Sequence, residues 1–106
     1  MQIRRGDKVL VSLDPTIGSE QGKTRPAIII QNNVGNKYSP TTIVLPITSN
    51  TNKIYPTDTK ISKTEKVLTS QVRTIDKKRI IKKVGKISNK KISTIENALK
   101  ISLALS

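Results

Sequence analysis

Arg25 and Thr48 are the residues of this chain best equipped for chemistry on a charged group. Arg25 ends the polar stretch GSEQGKTR, Gly18 to Arg25, and is followed at once by Pro26 and the apolar run AIII. A residue before proline is pushed out of the helical region into an extended one, so the guanidinium has a fixed origin where the loop meets a rigid strand. A planar, permanently charged group with five donors suits bidentate binding of a phosphate, above all one gaining charge in a transition state. The competing role is that of an ordinary solvated cation. Thr48 closes the stretch TTIVLPIT. A hydroxyl at a strand end can donate to a phosphate oxygen or accept a proton while its backbone is held. Threonines in that position also commonly do no more than cover the pleat.

Short strands must carry these two side chains. Lys8 to Leu13 alternates, with Val9, Val11 and Leu13 on one face and Lys8, Leu10 and Ser12 on the other, until Asp14-Pro15 stops it. Residues 14–25 hold Gly18 and Gly22 among polar neighbours. That span is too long for a tight hairpin turn and too short for a crossover helix, which predicts a mobile surface loop. Ala27 to Gln31 reads as a central strand, Gly35 to Pro40 as its turn, and Thr41 to Ile47 as a third strand with Thr48 at its end. Beyond the polar segment SNTNKIYPT, weaker strand patterns occur at Asp58 to Ile61, Lys66 to Ser70, Val72 to Ile75 and Ile80 to Val84. From Ser88 onward Ile92, Ile95, Leu99 and Leu103 recur at spacings of three and four, while Lys90, Lys91, Glu96 and Lys100 point elsewhere. This predicts an amphipathic helix capped by Ser88, with Ser93 and Glu96 as a competing capping box. The expected architecture is a single domain over residues 1–106, mostly β with a C-terminal α-helix, as a small antiparallel barrel or sandwich.

Composition narrows the chemistry further. Twenty Lys and Arg stand against seven Asp and Glu, a formal charge of +13, which points to a polyanionic partner. Nucleic acid comes first, with an acidic protein or an anionic membrane surface as alternatives. No apolar run approaches the roughly 18 residues of a spanning helix, so a cytoplasmic protein without membrane association is expected. The chain has no Cys and no His, which removes thiol nucleophiles, zinc knuckles and the usual general base. The scattered acids argue against a metal-dependent nuclease, and no cofactor is expected. Tyr38 and Tyr55 are the only aromatic residues, too few to stack successive bases across a sheet. The lysine-rich stretch Lys77 to Lys91 reads equally as solvated faces or as an electrostatic funnel for RNA.

Four ordered stretches carry a family resemblance: RRGDKVLVSLDPTIGSEQGKTRPAIIIQN from Arg4 to Asn32, GNKYSPTTIVLPIT from Gly35 to Thr48, QVRTIDKKRI from Gln71 to Ile80, and ENALKISLAL near the end. Together they make the chain similar to the MazF/PemK family of toxin endoribonucleases. The resemblance implies an SH3-like β-barrel with a C-terminal helix, assembled as a homodimer and acting as the toxin of a type II toxin-antitoxin system. It implies metal-independent, sequence-specific cleavage of single-stranded RNA or mRNA through attack by the 2′-hydroxyl, leaving 2′,3′-cyclic phosphate and 5′-hydroxyl ends. An acidic, MazE-like antitoxin would be the protein partner. Arg25 of the GxxRP segment and Thr48 after SPT match the family's catalytic pair. RNA contacts are expected from Ser19, Glu20, Gln21 and Lys23 in and beside the loop, from Asn32, Ser49 and Asn50, and from Gln71 and Arg73 of the QxRT segment. The general base is open, with Glu20 one candidate. Two departures from the family pattern bear on base specificity: the segment between Thr48 and Lys66 is shorter and more polar, and Ser70 stands where close relatives carry Glu. Two other functions compete. One is a non-catalytic barrel like the related gyrase poisons, which end in a tryptophan-containing tail that this chain lacks. The other is a basic barrel that only binds RNA.

Overall fold

The computed structural model describes residues 2–13, 18 and 23–106. Its elements are β1 (Asp7–Ser12), β2 (Thr24–Ile29), α1 (Asn33–Tyr38), β3 (Thr41–Thr48), β4 (Asp58–Lys60), β5 (Lys66–Leu68), β6 (Arg73–Asp76), a 3₁₀ turn (Lys77–Arg79), β7 (Ile80–Lys86) and α2 (Asn89–Ser102). All strand pairs are antiparallel. Six of the seven strands run in the order β4-β5-β3-β2-β1-β7, and β6 lies against β3. The ladder is therefore an incompletely closed barrel, with a C-terminal helix packed on it.

β3 is the spine. One edge pairs with β2 through Val44 to Pro46, while the other edge pairs with β6 through Thr41 to Val44 and with β5 through Ile47 and Thr48. Pro46 falls in the gap where that second edge passes from β6 to β5, so its missing N–H interrupts neither ladder.

Two apolar clusters follow from strand alternation. Val9, Val11, Leu13, Ala27, Ile29, Val44 and Ile75 fill one face. Ile28, Leu45, Ile47, Ile61 and Val67 fill the other, where α2 closes them with Ile95. Gly6 lets this closure happen: its φ of +93° belongs to the left-handed region, and a Cβ there would come within 2.7 Å of Ile92 Cδ1 on α2. Ser88 rather than Ser93 caps α2, accepting from the Lys91 amide at 3.3 Å. The buried helix face is Ile95 and Ala98, flanked by half-buried Ile92 and Leu99. Leu103, expected in that stripe, lies past the last helical residue and is 53% exposed. Lys91 does not point to solvent, because its ammonium donates to the Ile61 carbonyl. No helix among the described residues is long and apolar enough to cross a membrane.

Two local readings are corrected. The segment read as a turn from Gly35 to Pro40 is largely a short helix, because Asn32 Oδ1 caps it through the Gly35 amide at 2.8 Å and Asn36 is buried beneath it. Asn36 donates to the Gln31 carbonyl at 2.9 Å and accepts from Thr42 Oγ1 at 2.7 Å. The second correction concerns Arg25 and Pro26, placed at the end of a loop but lying inside β2, where they are Cα partners of Val11 and Leu10 on β1. The pairing of β2 with β3 begins only at Ala27, so Pro26 has no β3 partner to disappoint.

Candidate active site

The position of Arg25 follows from two registers. On β1 it faces Val11, and two residues later Ala27 faces Pro46 on β3. The β2–β3 ladder ends at that pair, two residues short of both Arg25 and Thr48, which therefore lie beyond it at the same end of two neighbouring strands. Thr48 is in turn the Cα partner of Lys66 on β5. Arg25 is thus paired with Val11 on β1, and Thr48 with Lys66 on β5. By alternation these residues share the face of the cluster containing Ala27, Ile29 and Val44. Arg73, the Cα partner of Val44 and two residues from Ile75, is on that face as well. The sheet so brings two arginines and a threonine to one face, Arg25 and Thr48 at the end where β2 begins and β3 stops, and Arg73 four β3 positions back, opposite Val44.

Local bonding prepares Thr48 for a ligand. Its hydroxyl oxygen accepts from the Asn50 amide at 3.2 Å, and the residue is buried. An acceptor role in that tight turn leaves the O–H proton to donate. Ser49 and Asn50 are exposed immediately beyond it, and the Asn50 side chain accepts from the Asn52 amide at 3.3 Å. Arg25 and Arg73 are half-buried, a setting in which a guanidinium meets a phosphate oxygen with less competition from water.

The remaining expected residues distribute unevenly. Lys23 is exposed with a φ of 62°, and its carbonyl accepts from the Leu13 amide at 2.8 Å, which closes the base of the segment leading to Arg25. Gln71 is half-buried in the turn between β5 and β6, its amide bonded to the Leu68 carbonyl at 3.0 Å. Asn32 is not brought to the pair: it lies beyond the opposite end of β2 from Arg25, and its side-chain oxygen serves as the cap of α1. Ser19, Glu20 and Gln21 lie outside the described residues.

The charge balance at the surface is one-sided. Each of the five described carboxylates is already engaged within the fold: Asp7 with Lys83 at 3.0 Å, Asp58 with Lys66 at 2.8 Å, Glu65 with Lys8 at 2.9 Å, Glu96 with Arg5 at 3.7 Å, and Asp76 with the Lys78 amide at 2.8 Å. The excess lysines, among them exposed Lys82 and Lys86 on β7, face outward. Among the described residues no three His, Cys, Asp or Glu side chains come together in a way that could hold a metal ion.

One feature near the site was not anticipated. Lys66 opens a fully buried strand, and its ammonium donates to Asp58 Oδ2 at 2.8 Å and to the Lys53 carbonyl at 2.5 Å. The only signal in the sequence was a lysine beside the apolar pair Val67-Leu68, with Glu65 directly before it and Asp58 eight residues back.

This basic antiparallel barrel matches known proteins along nearly its whole length. Its fold superposes on a crystal structure of MazF from Deinococcus radiodurans with a TM-score of 0.89, at 21% identity over 99% of each chain. An endoribonuclease from Mycobacterial species, solved in complex with its cognate antitoxin, gives a TM-score of 0.83 at 20% identity, covering 98% of this chain and 97% of that one. In sequence, Endoribonuclease MazF of Staphylococcus epidermidis is 49% identical over 111 residues, spanning 97% of this chain and 92% of the relative. The model of the PemK-like, MazF-like toxins of type II toxin-antitoxin systems matches residues 4–103, and the chain belongs to that family.

Proposed function

We propose that the chain is the endoribonuclease toxin of a type II toxin-antitoxin system, acting in the cytoplasm as a homodimer of one-domain subunits spanning residues 1–106 and held in check by an acidic, MazE-like antitoxin. Its substrate is single-stranded RNA, cut at a short preferred sequence without a metal ion or other cofactor. The observation that supports this reading most is the match of residues 4–103 to the PemK-like, MazF-like toxins of type II toxin-antitoxin systems.

The chemistry asks little of the side chains beyond what Arg25 and Thr48 offer. The ribose 2′-oxygen attacks the adjacent phosphorus, its proton passes to a base, and the P–O5′ bond breaks as the 5′-oxygen takes up a proton. The products are a 2′,3′-cyclic phosphate and a 5′-hydroxyl, and DNA, lacking the nucleophile, is not cut. Arg25 neutralises the charge that accumulates on the phosphoryl oxygens, a role suited to a group that does not shuttle protons. Thr48 donates to the same phosphate and fixes its orientation. Lys23, Ser49, Asn50, Gln71 and Arg73 hold the flanking nucleotides, together with Ser19, Glu20 and Gln21, while Asn32 would reach RNA only along a longer path.

Incubation of the purified protein with single-stranded RNA in EDTA tests the reading. Fragments with cyclic phosphate and 5′-hydroxyl ends are expected, and intact RNA at micromolar protein would overturn it.

A further inference from the structure

We infer that Tyr55 is a stacking platform for one unpaired base next to the cleaved phosphate, and that Lys66 is the positioning residue that holds it there. The inference rests on the ribonuclease reading and adds to it a determinant of base preference outside the Arg25–Thr48 pair.

The segment between Thr48 and β4 is tied at both ends to the site. At its start, the Asn50 amide donates to Thr48 Oγ1. At its end, Asp58 holds Tyr55 twice, accepting from the Tyr55 amide at 3.0 Å through Oδ2 and donating its own amide to the Tyr55 carbonyl at 2.9 Å. The same Oδ2 takes the buried Lys66 ammonium, which also bonds the Lys53 carbonyl and lies 5.7 Å from the centre of the Tyr55 ring. Lys66 is the cross-strand neighbour of Thr48. One strand spacing and one lysine side chain therefore connect the ring to the proposed catalytic threonine, a span comparable with one or two nucleotides of extended RNA.

A buried ion pair and three backbone anchors are an expensive way to hold a surface loop. What they hold in place is a tyrosine that remains 52% exposed. A ring with its backbone fixed loses little freedom on binding, and every base has a face to stack on it. Lys53, exposed and 5.1 Å from the ring centre, adds a cation beside the same base.

The composition supplies a clean test. Tyr38 and Tyr55 are the only aromatic residues and there is no His, so protein labelled with ¹³C-tyrosine shows two rings, and Tyr38→Phe leaves one. Cut sites are first mapped on a transcript. An oligonucleotide spanning one site, with 2′-O-methyl at the cleaved nucleotide so that it binds without reacting, is then titrated into the protein. An upfield movement of the Tyr55 ring signals is expected, with Tyr38 unmoved. Tyr55→Ala is expected to weaken binding of this oligonucleotide roughly tenfold to a hundredfold and to redistribute the cut sites. Lys66→Met is expected to abolish the Tyr55 shift and redistribute the sites in the same way, while cleavage still depends on Arg25; a fold that was merely loosened would slow every site alike. Should Lys66→Met not fold, exposed Tyr55 carries the test alone. Saturated binding without movement of Tyr55, or Tyr55→Ala with unchanged affinity and cut sites, overturns the inference and leaves the ribonuclease reading standing. A wild-type protein that cuts no RNA overturns that reading, and the inference with it.

Discussion

The Lys66 ammonium lies 2.8 Å from Asp58 Oδ2, with only 7% and 3% of the two side chains open to solvent. Two charges withdrawn this far from water are each other's main compensation, so removing one strands the other. Lys66→Met is expected to lower unfolding free energy by about 3–5 kcal/mol in denaturant titration. Adding Asp58→Leu should recover much of that loss, since a pair of apolar residues leaves no unpaired charge; a double variant as unstable as the single one would contradict this account.

Arg25→Ala is expected to slow cleavage by roughly a hundredfold or more, the typical cost of losing one preorganised donor. Affinity for uncleavable RNA should stay within about tenfold, because the lost contact strengthens only as charge builds. Arg25→Lys should recover little, as an ammonium cannot reproduce the two-pronged contact. Single-turnover rates alongside equilibrium binding separate these effects.

At Thr48 the distinction is between hydroxyl and shape. Thr48→Ser keeps the oxygen that accepts from the Asn50 amide and should retain most activity. Thr48→Val preserves the β-branched shape and removes the donor, and a loss in rate constant with little change in melting temperature is the expected result. Equal rates for the two variants would remove the hydroxyl from the mechanism.

RNA binding should weaken steeply with salt. On single strands the logarithmic slope is about −0.7 for each phosphate neutralised, so a surface of outward lysines predicts a slope of several units between low and moderate ionic strength. A flat titration would mean that the +13 charge serves something other than RNA.

Gly6→Ala should cost about 1–3 kcal/mol of stability, because its φ of +93° disfavours any side chain and the new methyl would press on Ile92 Cδ1. Thermal denaturation provides the measurement.

Much of this architecture is legible in the amino acids. Val9, Val11 and Leu13 alternate as a half-buried strand should, and all three are fully buried. Ile95 lies under α2 where the helical spacing put it. What escaped depends on contacts that no hydrophobic periodicity encodes. Arg25 and Pro26 belong to β2 because β1 is there to pair with them, and no local pattern announces that ladder. Asn33 to Tyr38 is helical because Asn36 finds Gln31 and Thr42 beneath it, an arrangement invisible in a stretch that reads as a turn. Lys66 looked like any surface lysine until the fold delivered Asp58 to it.

The break at Pro46 has an evolutionary reading. Because β6 and β5 take successive, non-overlapping portions of the β3 edge, the hairpin of β4 and β5 hangs on only Ile47 and Thr48 of that strand. Such a hairpin can be rewritten as a cassette, provided Ile61 and Val67 continue to seat Ile95. Diversification of targets among toxins of this kind could then proceed through one exchangeable segment while the cutting apparatus is inherited unchanged.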